Sequence, residues 1–366
     1  MRFMDGQRSQ DPAPAPSLEL SEKGYGTIQP DPNNTTTTAA QRDAPPADKW
    51  MSKLHDNILV SALTIPGTHD SAAFTNTWPF IQTQRLDISS QLNAGIRYLD
   101  LRCGLRDDVV EMIKQDRAPE RSTVHFAFSI WQCMSQAPAR WRTANTTPTL
   151  GQLRGKIQLL RRFRRPTLHA FGIDVTQWQD NPSRPFTIST MHEVQLTIQD
   201  HYKPVAAEGL PSLIAKKGGD VAELLTHAAA NPDAGHWYLN FTSAYEFNVW
   251  YQLPPREIAV GGWWAFQWEA GMNPRLSGYL QEHAGRRRYG IVAMDFPESG
   301  ANDLIDALIR SNYGRLSDGV STLWRTLLAL TTMLLILGLF VMVVRVLTGA
   351  PHHIRAAGQC QRWPWR

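Results

Sequence analysis

Apolar and polar positions divide the chain into three regimes. Residues 1 to 48 are dominated by Pro, Gln, Asp, Asn and a Thr run without apolar periodicity, which predicts a disordered segment. From Trp50 to about Asn312, short apolar runs alternate with amphipathic stretches. Ile96 to Leu101, Lys156 to Leu160, Gln195 to Gln199, Trp237 to Phe241 and Ile291 to Met294 predict strands. Val221 to Ala230, Pro274 to His283 and Asn302 to Ser311 predict helices. The last puts Leu304, Ile305, Leu308 and Ile309 on one face, with Asn302 as N-cap. Strands alternating with helices predict an α/β fold with a parallel sheet. The third regime is Thr326 to Val344, 19 residues without a charge, bracketed by Arg325 and Arg345. As a helix it would span ~28 Å, about the thickness of a bilayer's hydrocarbon core. This predicts one transmembrane helix over 326–344, a basic tail over 345–366 and a single-pass membrane protein.

Composition refines this picture modestly. The formal charge is +4 and 42% of residues are hydrophobic, ordinary for a chain with a core. Mild basicity suits a phosphate substrate or an anionic membrane surface. Without a long Lys/Arg block interleaved with aromatics, it does not point to nucleic acid. The three cysteines, Cys103, Cys133 and Cys360, form no CxxC, so neither a disulfide framework nor a thiolate zinc site is expected. Many of the 13 tryptophans fall between Trp237 and Trp268, as core packing or as an aromatic rim at a lipid interface. The first residues lack the apolar stretch of a secretory leader, so a cytosolic catalytic domain with a C-terminal anchor is expected.

Candidate chemistry lies where apolar runs end. Ile65-Pro66-Gly67-Thr68-His69-Asp70-Ser71 places a His and an Asp together. Gly95-Ile96-Arg97-Tyr98-Leu99-Asp100-Leu101-Arg102 ends in an Arg, and Ser122-Thr123-Val124-His125 supplies a second His. Two imidazoles, an acid and a guanidinium suit phosphoryl chemistry: one imidazole removes a proton, the other supplies one, and the guanidinium holds the phosphate. Arg97 has the opposite strand parity to Arg102 and should face away from the site.

These motifs resemble the X domain of the phosphatidylinositol-specific phospholipase C family, and its bacterial and fungal metal-independent branch most. The resemblance continues through Thr149 to Ile157, Ile198 to Tyr202, Leu239 to Ser243 and Ile291 to Phe296, in the family's order. It implies a distorted TIM (β/α) barrel over about residues 49–315, with the site at the strands' carboxyl ends. It implies a phosphodiesterase that cleaves phosphatidylinositol, or a glycosylated form of it, to diacylglycerol and inositol 1,2-cyclic phosphate. By that likeness His69 is the general base and Asp295 its orienting acid. His125 is the general acid, Asp70 its partner, and Arg102 the phosphate ligand. Arg162, Asp200 and Tyr202 contact the inositol. Asp70 follows His69 where the calcium-dependent branch has Asn, so metal-free catalysis without a cofactor is expected.

The chain departs from the family between His125 and Pro148, where only 22 residues remain. Phe126 stands where the family has Gly. A (β/α)₈ barrel averages about 31 residues per unit, so the chain is expected to be short by about one unit or more, and Ser129 to Thr147 shows no clear strand. A mis-joined or spliced sequence, an open barrel and a degenerate relative are the competing explanations. Two alternatives therefore stand beside a phospholipase: a catalytically inactive headgroup-binding protein on the same fold, and a metal-dependent glycerophosphodiester phosphodiesterase.

Overall fold

The computed structural model describes residues 46–75, 78–106, 109–112, 138–162, 172–204, 209–247, 252–285, 287–301, 303–313 and 333. The chain divides into two compact units, Met1–Gly314 and Arg315–Arg366. The sheet, its helices and the polar site all belong to the first.

A six-stranded sheet carries the architecture. Its strands are β1 (Ile65–Thr68), β2 (Tyr98–Leu99), β3 (Phe186–Ser189), β4 (Gln195–Gln199), β5 (Trp237–Phe241) and β6 (Ile291–Met294), in the spatial order β2-β1-β6-β5-β4-β3. All neighbours are parallel except β3, which is antiparallel to β4. The last strand pairs with the first, as barrel closure requires. Two further parallel pairs, Trp141–Arg142 with Ile157–Gln158 and Leu160–Arg161 with Ile173–Asp174, continue the same alternation.

Side chains alternate across this sheet, and that alternation aims the site. Ile291 and Ala293 join one hydrophobic cluster with Ile65, Ile96, Leu196, Ile198, Leu239 and Phe241. Val292 and Met294 join the other, with Leu213, Val221, Met272, Leu276 and Leu308 from the helices. The first cluster fills the inner side of the sheet and the second lies under the helices. With a period of two, His69, Asp200 and Asp295 share the inner parity and project just past their strand ends. The covering helices are α1 (Ile88–Asn93), α2 (Leu210–Ala230), α3 (Met272–Glu282) and α4 (Leu304–Arg310).

Three strand predictions hold residue for residue: Gln195–Gln199, Trp237–Phe241 and Ile291–Met294. Ile291–Met294 is a continuous apolar run because both of its faces are covered, whereas Gln195–Gln199 alternates polar and apolar residues and Trp237–Phe241 carries the buried Asn240. Ile96 to Leu101 shortens to Tyr98–Leu99, and Lys156 to Leu160 divides into two short strands. Val221 to Ala230 is only the second half of α2, whose first half, with Lys216, Lys217, Gly218 and Gly219, hides its periodicity. Asn302 lies outside the described residues; Asp303 occupies the N-cap position of α4. Ser129 to Thr147 is not strandless, because Trp141–Arg142 pairs with Ile157–Gln158.

The expectation of a transmembrane helix requires correction. Among the described residues no helix is long and apolar enough to cross a membrane. The segment 326–344 lies outside the described residues except Met333. Its charge-free composition alone does not establish a span, and the single-pass localisation drawn from it is withdrawn with it.

Candidate active site

His69 is the hub. Its Nδ1 lies 2.8 Å from Oδ1 of Asp295, and its Nε2 lies 3.0 Å from Nη2 of Arg102. A guanidinium can only donate, so Nε2 is the unprotonated nitrogen and Nδ1 carries the proton toward Asp295. This leaves the Nε2 lone pair directed at the position of the cation. Burial works against the charged imidazole, but the Asp295 charge and hydrogen bond, with help from Asp100, outweigh both burial and Arg102. The net effect raises the His69 pKa above its ordinary value.

Arg102 is itself held by Asp100, 3.4 Å from Nη2. Burial opposes its charge, while Asp100, Asp70 and Asp200 favour it, and its pKa is raised. Burial likewise pushes the Asp100 carboxyl up, but Arg102, His69 and a hydrogen bond from the Asp70 amide win and hold it below its usual range. Asp70 is buried, and desolvation leaves its carboxyl raised despite His69 and Arg102.

Both strands that supply the dyad end in an unusual backbone. Asp70 after His69 has φ 42°, and Phe296 after Asp295 has φ 43°. A non-glycine residue in this region is disfavoured and persists only when neighbours enforce it. Two buried amides do so. The Nε2 amide of Gln84 donates to the carbonyls of His69 (2.8 Å) and Met294 (2.9 Å), tying the two strand ends together. Asn273 Nδ2 donates to the carbonyls of Asp295 (3.0 Å), Phe296 (2.8 Å) and Ser299 (3.1 Å). Thr83 Oγ1 donates to the Asp70 carbonyl. Gly67 explains the tight motif before His69: a Cβ there would meet the Tyr98 ring at 2.8 Å and the Val292 carbonyl at 3.2 Å.

The three expected inositol contacts also come together. Trp178 Nε1 donates to Asp200 Oδ2 (2.8 Å), and the Arg162 guanidinium sits 4.6 Å from the Trp178 ring centroid. The Tyr202 hydroxyl donates to Asp180 at 3.0 Å. Phe241 connects the two halves, 5.9 Å edge-on from the rings of both His69 and Trp178. Arg97 faces away as expected, donating to the carbonyls of Leu92, Ile96 and Asp48. His125 lies outside the described residues. Among the described residues no group of three or more His, Cys, Asp or Glu is placed to hold a metal ion.

No family model matches the chain. A 1-phosphatidylinositol phosphodiesterase of Staphylococcus aureus (strain Newman) is 24% identical over 317 residues, covering 72% of this chain and 94% of the relative. One from Listeria monocytogenes is 30% identical over 151 residues, covering 31% of this chain and 48% of the relative. A crystal structure of the Staphylococcus aureus phosphatidylinositol-specific phospholipase C aligns with a TM-score of 0.57 and 20% identity, covering 74% of this chain and 98% of that one. In sequence and in fold the chain is similar to these phosphatidylinositol-cleaving enzymes. The structural likeness extends to a TIM-barrel-like fold, in keeping with the β1–β6 closure.

Sequence reasoning toward this family missed several residues of the site. Asp100 was within reach, because Tyr98, Asp100 and Arg102 share one strand parity. Gln84, Asn273 and Trp178 gave no signal, since their partners lie 15 to 210, 22 to 26 and 22 residues away.

Proposed function

We propose that this protein cleaves phosphatidylinositol by intramolecular phosphoryl transfer. The observation that carries this reading is the His69 imidazole held between Asp295 and Arg102. Arg102 turns from His69 Nε2 to the bound phosphate; the inositol 2-hydroxyl then loses its proton to the freed Nε2, and its oxygen bonds to phosphorus. Asp295 stabilises the imidazolium that forms and fixes the ring's tautomer, as an orienting acid does in a triad. Arg102, directed by Asp100, neutralises charge on the phosphoryl oxygens. The bond from phosphorus to the glycerol oxygen breaks, and that oxygen takes a proton from His125, with Asp70 as its partner. The products are diacylglycerol and inositol 1,2-cyclic phosphate. Arg162, Asp200 and Tyr202 bind the inositol, with Trp178 stacked behind Arg162. The Arg102 guanidinium supplies the positive charge the reaction needs, so the reading assigns catalysis without a metal.

The substrate also implies a lipid surface. The hairpin Gly261–Trp264 with Gln267–Ala270 exposes Trp263, Phe266 and Trp268, with Phe266 at its tip fully exposed. Aromatic side chains favour the membrane–water interface, and this hairpin supports peripheral docking there.

The test is product identity. Phosphatidylinositol in mixed micelles with excess EDTA should yield inositol 1,2-cyclic phosphate as the first water-soluble phosphorus species by ³¹P NMR. A first product of inositol 1-phosphate, or loss of turnover with the chelator, would sink this mechanism.

A further inference from the structure

Lys217 is fully buried on α2, on the side of the sheet opposite the site. Its ammonium donates to Gln199 Oε1 (2.9 Å) and to the His201 carbonyl (3.0 Å). Among the described residues it makes no ion pair within 4.0 Å. Gln199 Oε1 also accepts from the His201 amide, and Gln199 Nε2 donates to Asn240 Oδ1 and the Phe241 carbonyl, both at 3.0 Å. His201 Nδ1 meets Asp220 at 2.8 Å, and Asn240 Nδ2 donates to the Val221 carbonyl at 2.9 Å. One buried cation thus ties α2, the end of β4 and the end of β5 into a single network.

Burying an ammonium against neutral oxygens costs several kcal/mol that an apolar side chain would avoid. The network therefore needs a reason, and its location offers one. The turn it grips, Gln199 to Tyr202, carries Asp200 and Tyr202. We propose that the Lys217 ammonium is a positioning residue that fixes this turn from behind, so that Asp200 and Tyr202 are presented to the inositol ring. The inference rests on the proposed function and deepens it: the lysine serves headgroup binding and takes no part in proton transfer. The charged groups around it are Asp200, Asp220 and Asp295, with His201 beside them. Burial outweighs the three carboxylates and lowers its pKa to about 8. Charge-assisted hydrogen bonds are about twice as strong as neutral ones, so the grip should loosen when the proton leaves.

The experiment compares parent and Lys217→Met on phosphatidylinositol in mixed micelles. The expected result is KM raised about tenfold with kcat within about twofold, the pattern of lost ground-state binding. Unchanged KM, or a loss confined to kcat, would overturn the proposal. Should the variant not fold, KM of the parent against pH decides: a rise above about pH 8 supports the proposal, and a flat KM overturns it. Should the parent show no turnover, the proposed function fails separately. Crystal structures of the two proteins then decide. A displaced Gln199 to Tyr202 turn with a broken Trp178–Asp200 hydrogen bond supports the role, and superposable turns overturn it.

Discussion

His69 Nδ1 and Asp295 Oδ1 meet at 2.8 Å although 226 residues separate them in the chain. The meeting follows from β1 and β6 pairing in parallel, with Thr68 opposite Met294, so that the next residue on each strand projects from the same edge. Pairing the first strand of the sheet with the last is what brings these distant parts of the chain together.

That pairing predicts a pH profile. The His69 pKa is raised, with burial opposing and Asp295 favouring the charged form. A base must be neutral to act, so kcat/KM should climb with pH through a value above the ordinary histidine range. Asp295→Asn removes the main influence that raises it. The acid limb should move to lower pH while the plateau falls by about 10²-fold or more. The stability contribution of the pair has the opposite course. It is present in full below the unfolded histidine's pKa and is lost as pH rises through the folded one.

Gln84 is the residue whose loss should reveal how the dyad is held. Gln84→Met removes the donor to the His69 carbonyl in a buried place, whereas the Met294 carbonyl keeps the His69 amide at 3.0 Å. An unsatisfied buried carbonyl costs about 1–3 kcal/mol. Thermal unfolding should show a lower midpoint, and kcat should fall more than KM rises, because the His69–Asp295 alignment loosens.

Arg102→Lys tests the phosphate role. An ammonium keeps the charge but not the fork that can meet Asp100 and two phosphoryl oxygens together. A fall in kcat of about 10²-fold, with the folded state retained by circular dichroism, is the expected outcome. Activity near the parent's would mean that charge alone suffices.

The aromatic hairpin predicts a separable effect. Trp263→Ser with Phe266→Ser should weaken sedimentation with phosphatidylinositol-containing vesicles by about tenfold. Turnover of a monomeric, water-soluble inositol phosphodiester should not change. Equal losses on both substrates would place the hairpin in the catalytic unit instead.

Much of this was legible in the sequence for identifiable reasons. Ile291–Met294 announces itself as a continuous apolar run covered on both faces, Trp237–Phe241 as an aromatic-rich run broken only by Asn240, and Gln195–Gln199 by its alternation of polar and apolar residues. His69 and Arg102 stood out as chemistry at the ends of apolar runs, where a parallel sheet displays its site, whereas Asp200 and Asp295 were legible only through the family resemblance. The supports were not visible. Gln84, Asn273 and Lys217 are polar residues outside the motifs, and their importance arises only from backbone carbonyls brought to them by the fold. The first half of α2 was missed because Lys217, polar by type, packs inward where the helical period demands an apolar residue. The transmembrane reading rested on composition alone and gains no support from the described helices.

The most direct test of the account is turnover of phosphatidylinositol by the full chain and by His69→Ala, in mixed micelles with excess EDTA. Cyclic inositol phosphate made by the parent and abolished in a variant that unfolds at the same temperature is the predicted result. Turnover that survives in His69→Ala, or a folded parent that binds the micelles and makes no product, would contradict it.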